Sequence, residues 1–397
     1  MQELPIAGVR LSSVESGIRY ANRRDLVLVE LAIGTKTSAV FTQNAFCAAP
    51  VVVAREHLAA KAPRYFLINT GNANAGTGAQ GLADARASCA GLGQLADVDA
   101  QEVLPFSTGV IGEPLPMDKL LAGLPAAYES LSAQTLESAA RGIMTTDTRP
   151  KIAARQVEIA GQTVSIAGMA KGAGMIKPNM ATMLAYVFTD AALSDAALDA
   201  LLAAQVDKSF NRITVDGDTS TNDCCLLSAT GQSTAPVEKS EGVCDPVFEE
   251  ALAEVFQALA MDVIRDAEGA TKFVTVQVSG AASTEECLAV GYAVAESPLV
   301  KTALFASDPN WGRILAAIGR AGVDGLVIED VTIRLGNTLI VEGGARATSY
   351  TEEAGQREMD KQDILIAIDL RRGEYSESIY TSDLSHDYVS INADYRS

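Results

Sequence analysis

"KPNMATMLAY", residues 177–186, runs from a Lys-Pro-Asn turn into an apolar segment that carries one hydroxyl, Thr182. Two readings compete. A short apolar run of this kind is consistent with a buried β-strand, where the threonine is half-satisfied packing. The same hydroxyl becomes a nucleophile if the chain is cut just before it. An N-terminal threonine then carries its own base a few bonds away. The choice between the two decides what architecture and what chemistry to expect around it.

The rest of the chain narrows that choice. Its 397 residues are 48% hydrophobic and 20% charged, a globular composition long enough for two or three domains. The start, "MQELPIAGVR", has no basic segment followed by an apolar one, and no stretch reaches the roughly 18 uncharged apolar residues of a membrane span. The six cysteines (47, 89, 224, 225, 244 and 287) form no CxxC pair and read as reduced thiols, so a cytoplasmic protein is expected. A net charge of −19 argues against nucleic acid or an anionic membrane as partner. Residues 1–181 carry 16 basic and 15 acidic residues, a net of +1; the remainder carries 15 and 35, a net of −20. The balance shifts at the Ala181-Thr182 bond. Acidic helices that happen to fall in the second half would explain it, and so would two segments with separate identities.

Apolar runs alternate with helical periodicity. "LVLVELA" (26–32), "APVVVA" (49–54), "YFLIN" (65–69) and "VLPFST" (103–108) read as strands. Residues 81–95 have helical spacing, and 117–143 read as helix interrupted by Gly-Leu-Pro at 123–125. "RQVEIAGQTVSIAGMA" (155–170) reads as a hairpin turning at Ala160-Gly161. After Thr182 the expected order is a strand, a helix over 194–210, the strand "CCLLSA", a helix over 245–267, the strand "KFVTVQVSG" and a helix over 285–305. Strands are then expected at "GLVIEDVTIRL", "TLIVEG", "DILIAIDLRRG" and "SESIYTSDLS", continuing to the chain end. Mixed strands and helices with several hairpins favour a layered α+β, mixed-sheet fold over a doubly wound parallel one.

Much familiar chemistry is missing. Only two histidines occur: His57, expected on an exposed helix face, and His386, expected in a surface loop. No GxSxG elbow accompanies them. Cys224 and Cys225 are adjacent and cannot share one strand face as metal ligands. "DGDTSTND" (216–223) lacks the twelfth-position carboxylate of a calcium loop, which here is Leu227, so it reads as a polar loop. No metal site is expected. No GxxxxGK[ST] phosphate-binding motif is present. "NTGNANAGTGAQG" (69–81) is either an anion-binding turn or a purely structural one.

With histidine and metal set aside, a free α-amine of pKa roughly 8 remains a sufficient base for a threonine hydroxyl at neutral pH. Here the residues become specific. "KGAGMIKPNMATMLAYVFTDA" (171–191) closely resembles the self-cleavage segment of the ornithine acetyltransferase family, the bifunctional glutamate N-acetyltransferase/amino-acid acetyltransferases of arginine biosynthesis. Further family blocks follow in order: "FTQNAFCAAPV" (41–51), "NTGNANAGTG" (69–78), "STGVIGEPLP" (107–116), "MTTDTRPK" (144–151), "TVDGDTSTND" (214–223), "DAEGATKF" (266–273), "SDPNWGRI" (307–314) and "INADYRS" at the end. Together they span nearly the whole chain.

The resemblance implies a layered, self-cleaving fold with an N-terminal threonine nucleophile. The precursor would cut between Ala181 and Thr182 by attack of the Thr182 hydroxyl on the Ala181 carbonyl and hydrolysis of the ester. Small Ala181 leaves that carbonyl approachable, and the Lys177-Pro178 turn is expected to hold the bond at a cleft surface. The products would be an α segment, 1–181, and a β segment, 182–397, co-folded as one catalytic unit and assembled as an α2β2 heterotetramer. Thr182 would take acetyl from N2-acetylornithine and pass it to L-glutamate, giving ornithine and N-acetylglutamate by a double displacement. The tetrahedral oxyanion needs donors, which the family pattern places at Thr108 and Gly109. Substrate contacts carry over onto Thr145 (with Thr146 as its neighbouring alternative), Lys171, Thr182, Glu268, Asn392 and Ser397. No cofactor is implied, and acetyl-CoA is a candidate co-substrate of a bifunctional enzyme. The alternatives are a monofunctional transferase that only recycles acetyl, and an amidohydrolase or aminopeptidase that shares the nucleophile but passes the acyl group to water.

Overall fold

The computed structural model describes residues 4–132, 136–177, 183–240 and 242–394. Two compact units emerge. The first comprises residues 1–172, 178–211 and 219–263; the second comprises 173–177, 212–218 and 264–397. The unit boundaries do not follow the Ala181-Thr182 bond.

The first unit contains β1 (Val9–Val14), β2 (Leu26–Leu31), β3 (Lys36–Phe41), α1 (Ala49–Ala60), β4 (Tyr65–Asn72), α2 (Gly78–Ala96), β5 (Val103–Val110), α3 (Met117–Glu129), α4 (Leu136–Gly142), β6 (Lys151–Ile159), β7 (Gln162–Lys171), β8 (Leu184–Thr189), α5 (Asp195–Lys208), β9 (Cys224–Ala229), a small pair β10 (Glu238–Ser240) and β11 (Val243–Cys244), and most of α6 (Pro246–Arg265). One sheet has the order β1-β2-β4-β5 and the other β3-β9-β8-β7-β6. Both are mixed: β4 and β5 run parallel, as do β8 and β9. β7, from before residue 181, pairs antiparallel with β8, from after residue 182, so the two halves of the sequence share one sheet.

The sheets face each other across one apolar core. Phe66 and Phe106 of the first sheet meet Tyr186 of the second at ring distances of 5.9 and 5.4 Å. The outer face of the first sheet is covered by α2 and α3 through Leu92, Leu120 and Leu124. Helix α5 packs on β3 and β9, and α6 brings Leu259 against Gly168 of β7. The result is a helix–sheet–sheet–helix sandwich, the layered α+β arrangement expected from the sequence. The 155–170 hairpin is β6–β7, with Ala160 and Gly161 both at positive φ.

The second unit is built on a six-stranded sheet. It contains β12 (Phe273–Ala281), α7 (Thr284–Ala295), α8 (Pro298–Phe305), α9 (Trp311–Gly319), β13 (Thr332–Leu335), β14 (Thr338–Glu342), β15 (Ala345–Arg346), α10 (Glu352–Met359), β16 (Asp363–Asp369), β17 (Tyr375–Ser382) and α11 (His386–Ala393). The strand order is β15-β14-β13-β16-β12-β17. Valines 274, 276 and 278 alternate inward on β12 and pack with Val290 and Val294 of α7 and Ile318 of α9.

Several expectations are corrected. "APVVVA" is the start of α1, not a strand. Pro50 suits a helix first turn, and Pro50, Val53, Ala54 and His57 recur at helical spacing on the buried face. Pro125 lies inside α3 rather than breaking it, because Leu120, Leu124 and Ala127 are buried on either side of it. The helix expected over 285–305 is two, divided where Ser297 caps and Pro298 opens α8. The "GLVIEDVTIRL" strand starts only at Thr332, and the described chain ends in α11 rather than in a strand. His57 is buried, with Nδ1 2.8 Å from the Val103 carbonyl, not exposed. Among the described residues no single helix is long and apolar enough to cross a membrane, although the bent pair α7–α8 passes that test of length and composition.

Candidate active site

Strand periodicity places the candidate residues of the first unit. Phe66 and Ile68 on β4, Leu104 and Phe106 on β5, Ala167 and Met169 on β7, and Leu184 and Tyr186 on β8 all enter the core between the sheets. The period of two sends Thr70, Thr108 and Lys171 to the same faces, one alternation further along their strands. These strand ends converge. Lys171 is registered with Leu184, and Leu184 with Cys224. The Cys224 N–H donates to the Met183 carbonyl at 2.9 Å. Asn222 reaches across to the other sheet, donating from Nδ2 to the carbonyls of Ser107 (2.9 Å) and Ala73 (2.6 Å). The start of β9 therefore ties the residue before Thr108 to the residue after Thr182. Thr182 itself, Ala181 and residues 178–180, with most of the expected Lys177-Pro178-Asn179 turn, lie outside the described residues, as does Ser397.

Thr108 is buried and Gly109 half-buried at the end of β5. Gly109 has φ +135, and a Cβ there would sit 2.3 Å from the Gly71 carbonyl carbon on β4. Only glycine fits, which explains why the expected pair ends in one. The Gly/Asn-rich segment after β4 is stapled by its own side chains. Asn74 accepts from Thr77 and donates to the Gly81 carbonyl, and Asn72 Oδ1 accepts from the Asn74 N–H. Of its two expected roles, this geometry is that of a structural turn.

Lys171 and Thr145 are brought together, with Nζ donating to Thr145 Oγ1 at 3.3 Å. The group that arranges them is one sequence reasoning missed. Asp147 is buried; its Oδ1 accepts from Lys151 Nζ (2.5 Å) and the Gly172 N–H (2.8 Å), and its Oδ2 from the Thr145 N–H (2.9 Å). Arg23 holds the same segment from the other side, donating to the Met144 and Thr145 carbonyls at 2.7 and 2.8 Å. Burial pushes the Asp147 carboxyl up, but the ammonium groups of Lys151 and Lys171 and the Gly172 N–H outweigh it and hold it below the ordinary carboxylate range. Asp223 is different. Burial drives it well above that range against the weaker pull of Lys171, and its Oδ2 finds no partner among the described residues. A signal for Asp147 was present in "MTTDTRPK": an acid and a lysine four residues apart, beside the candidate threonine.

The second unit brings together Glu268 and Asn392. Asn392 Nδ2 donates to Glu268 Oε2 at 2.7 Å, and the Glu268 N–H donates to the Ala173 carbonyl at 2.9 Å. A Cβ on Gly174 would lie 2.6 Å from the Glu268 carboxylate, so the glycine lets that carboxylate lie against the backbone. Asp216, from the polar 216–223 loop, accepts from the N–H groups of Met175 (2.7 Å) and Ile176 (3.0 Å) and from the Tyr388 hydroxyl (3.1 Å). Asp216 thus holds the 175–176 backbone of this unit, and no His/Cys/Asp/Glu group suited to a metal occurs among the described residues.

Residues 10–397 match the model of the ArgJ family. The chain is 54% identical over 393 residues to the arginine biosynthesis bifunctional protein ArgJ of Pseudomonas fluorescens strain Pf0-1, covering 99% of this chain and 97% of that one. It is 55% identical over 395 residues, with the same coverages, to the protein of that name from Psychrobacter arcticus. Among solved structures it is similar to the ArgJ protein of Bacillus halodurans, at 36% identity and a TM-score of 0.50 over 53% of this chain and 99% of that one.

Proposed function

Because this chain belongs to the ArgJ family, and is thereby an acetyltransferase of arginine biosynthesis, we propose that it moves acetyl from N2-acetylornithine to L-glutamate through an acetyl-Thr182 intermediate. The observation that carries the reading is the convergence of strand ends between the two sheets. The start of β9 links Ser107, beside Thr108 and Gly109, to Met183, beside Thr182. Lys171 is registered on the same strands.

In this reading the precursor cuts between Ala181 and Thr182, and the freed α-amine accepts the Thr182 hydroxyl proton as Oγ attacks the acetyl carbonyl. Thr108 and Gly109 stabilise the oxyanion. Ornithine leaves with the proton, glutamate attacks the ester, and N-acetylglutamate departs. Lys171 supplies positive charge for the substrate α-carboxylate beside Thr145, the hydroxyl that its Nζ reaches. Glu268 and Asn392, paired in the second unit, are also assigned as substrate contacts, with Ser397. Acetyl-CoA is proposed as a second acetyl donor, α2β2 as the assembly of the cut chains, and the cytoplasm as location, where six free thiols are in keeping.

The test is ornithine release from N2-acetylornithine with and without glutamate. A transferase releases ornithine catalytically only when glutamate is present. Sustained release into water alone would instead identify an amidohydrolase.

A further inference from the structure

The Thr70 side chain is not used in the reaction described above. Its residue is 1% exposed, and its Oγ1 is buried with no hydrogen-bond partner among the described residues. The backbone is satisfied, since the Thr70 N–H donates to the Asp25 carbonyl at 2.9 Å. Only the hydroxyl is left over. Threonine hydroxyls are readily satisfied by a neighbouring carbonyl, as Thr42, Thr35 and Thr230 are here. A buried donor left without one is costly, and native proteins keep few of them.

Its place in the fold gives that cost a use. Thr70 is registered with Thr108 in the parallel β4–β5 pair, and Gly71 with Gly109. The register is unbroken from Tyr65 to Gly71, so the alternation that turns Phe66 and Ile68 into the inter-sheet core also turns Thr70 to the Thr108 side. Valine would fill the same volume without the unpaired hydroxyl, and this core already uses valine at Val27 and Val29.

We propose that the Thr70 hydroxyl is a donor to the acyl oxygen of the bound N-acyl amino acid, acting beside Thr108 and Gly109. No proton is transferred. The hydrogen bond strengthens as the carbonyl oxygen becomes an oxyanion and relaxes when the ester forms. The proposal rests on the acetyl-transfer reading.

The experiment compares wild type, Thr70→Val and Thr70→Ser in acetyl transfer from N2-acetylornithine to glutamate. Rates are normalised to the cut chain seen by intact mass, and thermal unfolding is recorded alongside. The expected result is a fall of about 100-fold in kcat for Thr70→Val. KM should change little, because an interaction made in the transition state affects kcat and kcat/KM alike. Thr70→Ser should keep most of the rate, and Thr70→Val should unfold no earlier than wild type. A Thr70→Val enzyme within about twofold of wild-type kcat overturns the proposal while leaving the acetyl-transfer reading intact. A wild type that transfers no acetyl overturns both. If the valine variant does not fold, Thr70→Ala carries the same comparison.

Discussion

Asp147→Asn is the most demanding single substitution the structure offers. In the folded chain the carboxylate accepts from Lys151 Nζ, the Gly172 N–H and the Thr145 N–H, with both charged side chains wholly buried. Asparagine keeps one oxygen and turns the other position into a donor. If the oxygen stays toward Lys151 and Gly172, the amide NH2 opposes the Thr145 N–H, donor against donor. Breaking a buried ion pair from one side costs about 3–5 kcal/mol, and an orphaned backbone donor about 1–3 kcal/mol. Since the two overlap, a loss of about 4 kcal/mol or more is expected, a large share of a typical stability of about 5–15 kcal/mol. The measurement is urea denaturation at pH 7 followed by circular dichroism. Asp147→Asn/Lys151→Met should recover much of the stability, because removing both charges avoids the uncompensated one. It should still bind N2-acetylornithine poorly, because Thr145 and Gly172 lose the carboxylate that positions them. The pH dependence has a definite sign. The folded-state pKa of Asp147 is depressed, so its contribution is present above the unfolded carboxylate value of about 3.9 and is lost as pH falls through the folded value. The gap between wild type and Asp147→Asn should therefore narrow at acid pH. A single variant within about 1 kcal/mol of wild type at pH 7 would show that the buried Lys151 does not depend on the Asp147 carboxylate.

Three other outcomes follow from the geometry. Gly109→Ala should cost at least about 100-fold in kcat by transfer assay, because its Cβ falls 2.3 Å from backbone in β4 and the strand end must move. Gly174→Ala should raise KM for N2-acetylornithine more than it lowers kcat, since the methyl displaces the Glu268 carboxylate, 2.6 Å away. Lys301, buried against Thr381 and Ser382, is lowered by burial to about 8 despite Asp383, Asp216 and Glu296. The unfolded chain then binds the extra proton between pH about 8 and about 10.4, so Lys301 adds stability as pH rises through that window. Lys301→Met should abolish that rise in urea titrations at pH 8 and 10.

The sequence made the layered α+β class legible because most strands announce themselves. β2, β4, β8 and β16 are apolar or alternating runs with turn residues at their ends. What it obscured has physical causes. A valine run such as 51–53 has no length in which helix and strand periods separate, and only its burial pattern decides. Pro125 broke a local rule that packing of Leu120 and Leu124 overrides. Thr145, Lys171, Glu268 and Asn392 came from motif resemblance, and the structure pairs them two by two. Asp147 showed in the sequence only through its spacing to Lys151; its role as a hub was hidden because its other two partners are backbone N–H groups 2 and 25 residues away, which no side-chain pattern encodes. His57 looked exposed because its partner, the Val103 carbonyl, is 46 residues away.

In the proposed reaction a freed Thr182 carries the acetyl group. The test is the intact mass of the purified protein, before and after exposure to N2-acetylornithine without glutamate. The 41.5 kDa chain should be replaced by two chains that meet at the Ala181-Thr182 bond. The chain beginning at Thr182 should then gain the mass of one acetyl group and lose it when glutamate is added. Catalytic acetyl transfer by a protein that stays uncut, or whose Thr182 chain never gains that mass, would contradict that reaction.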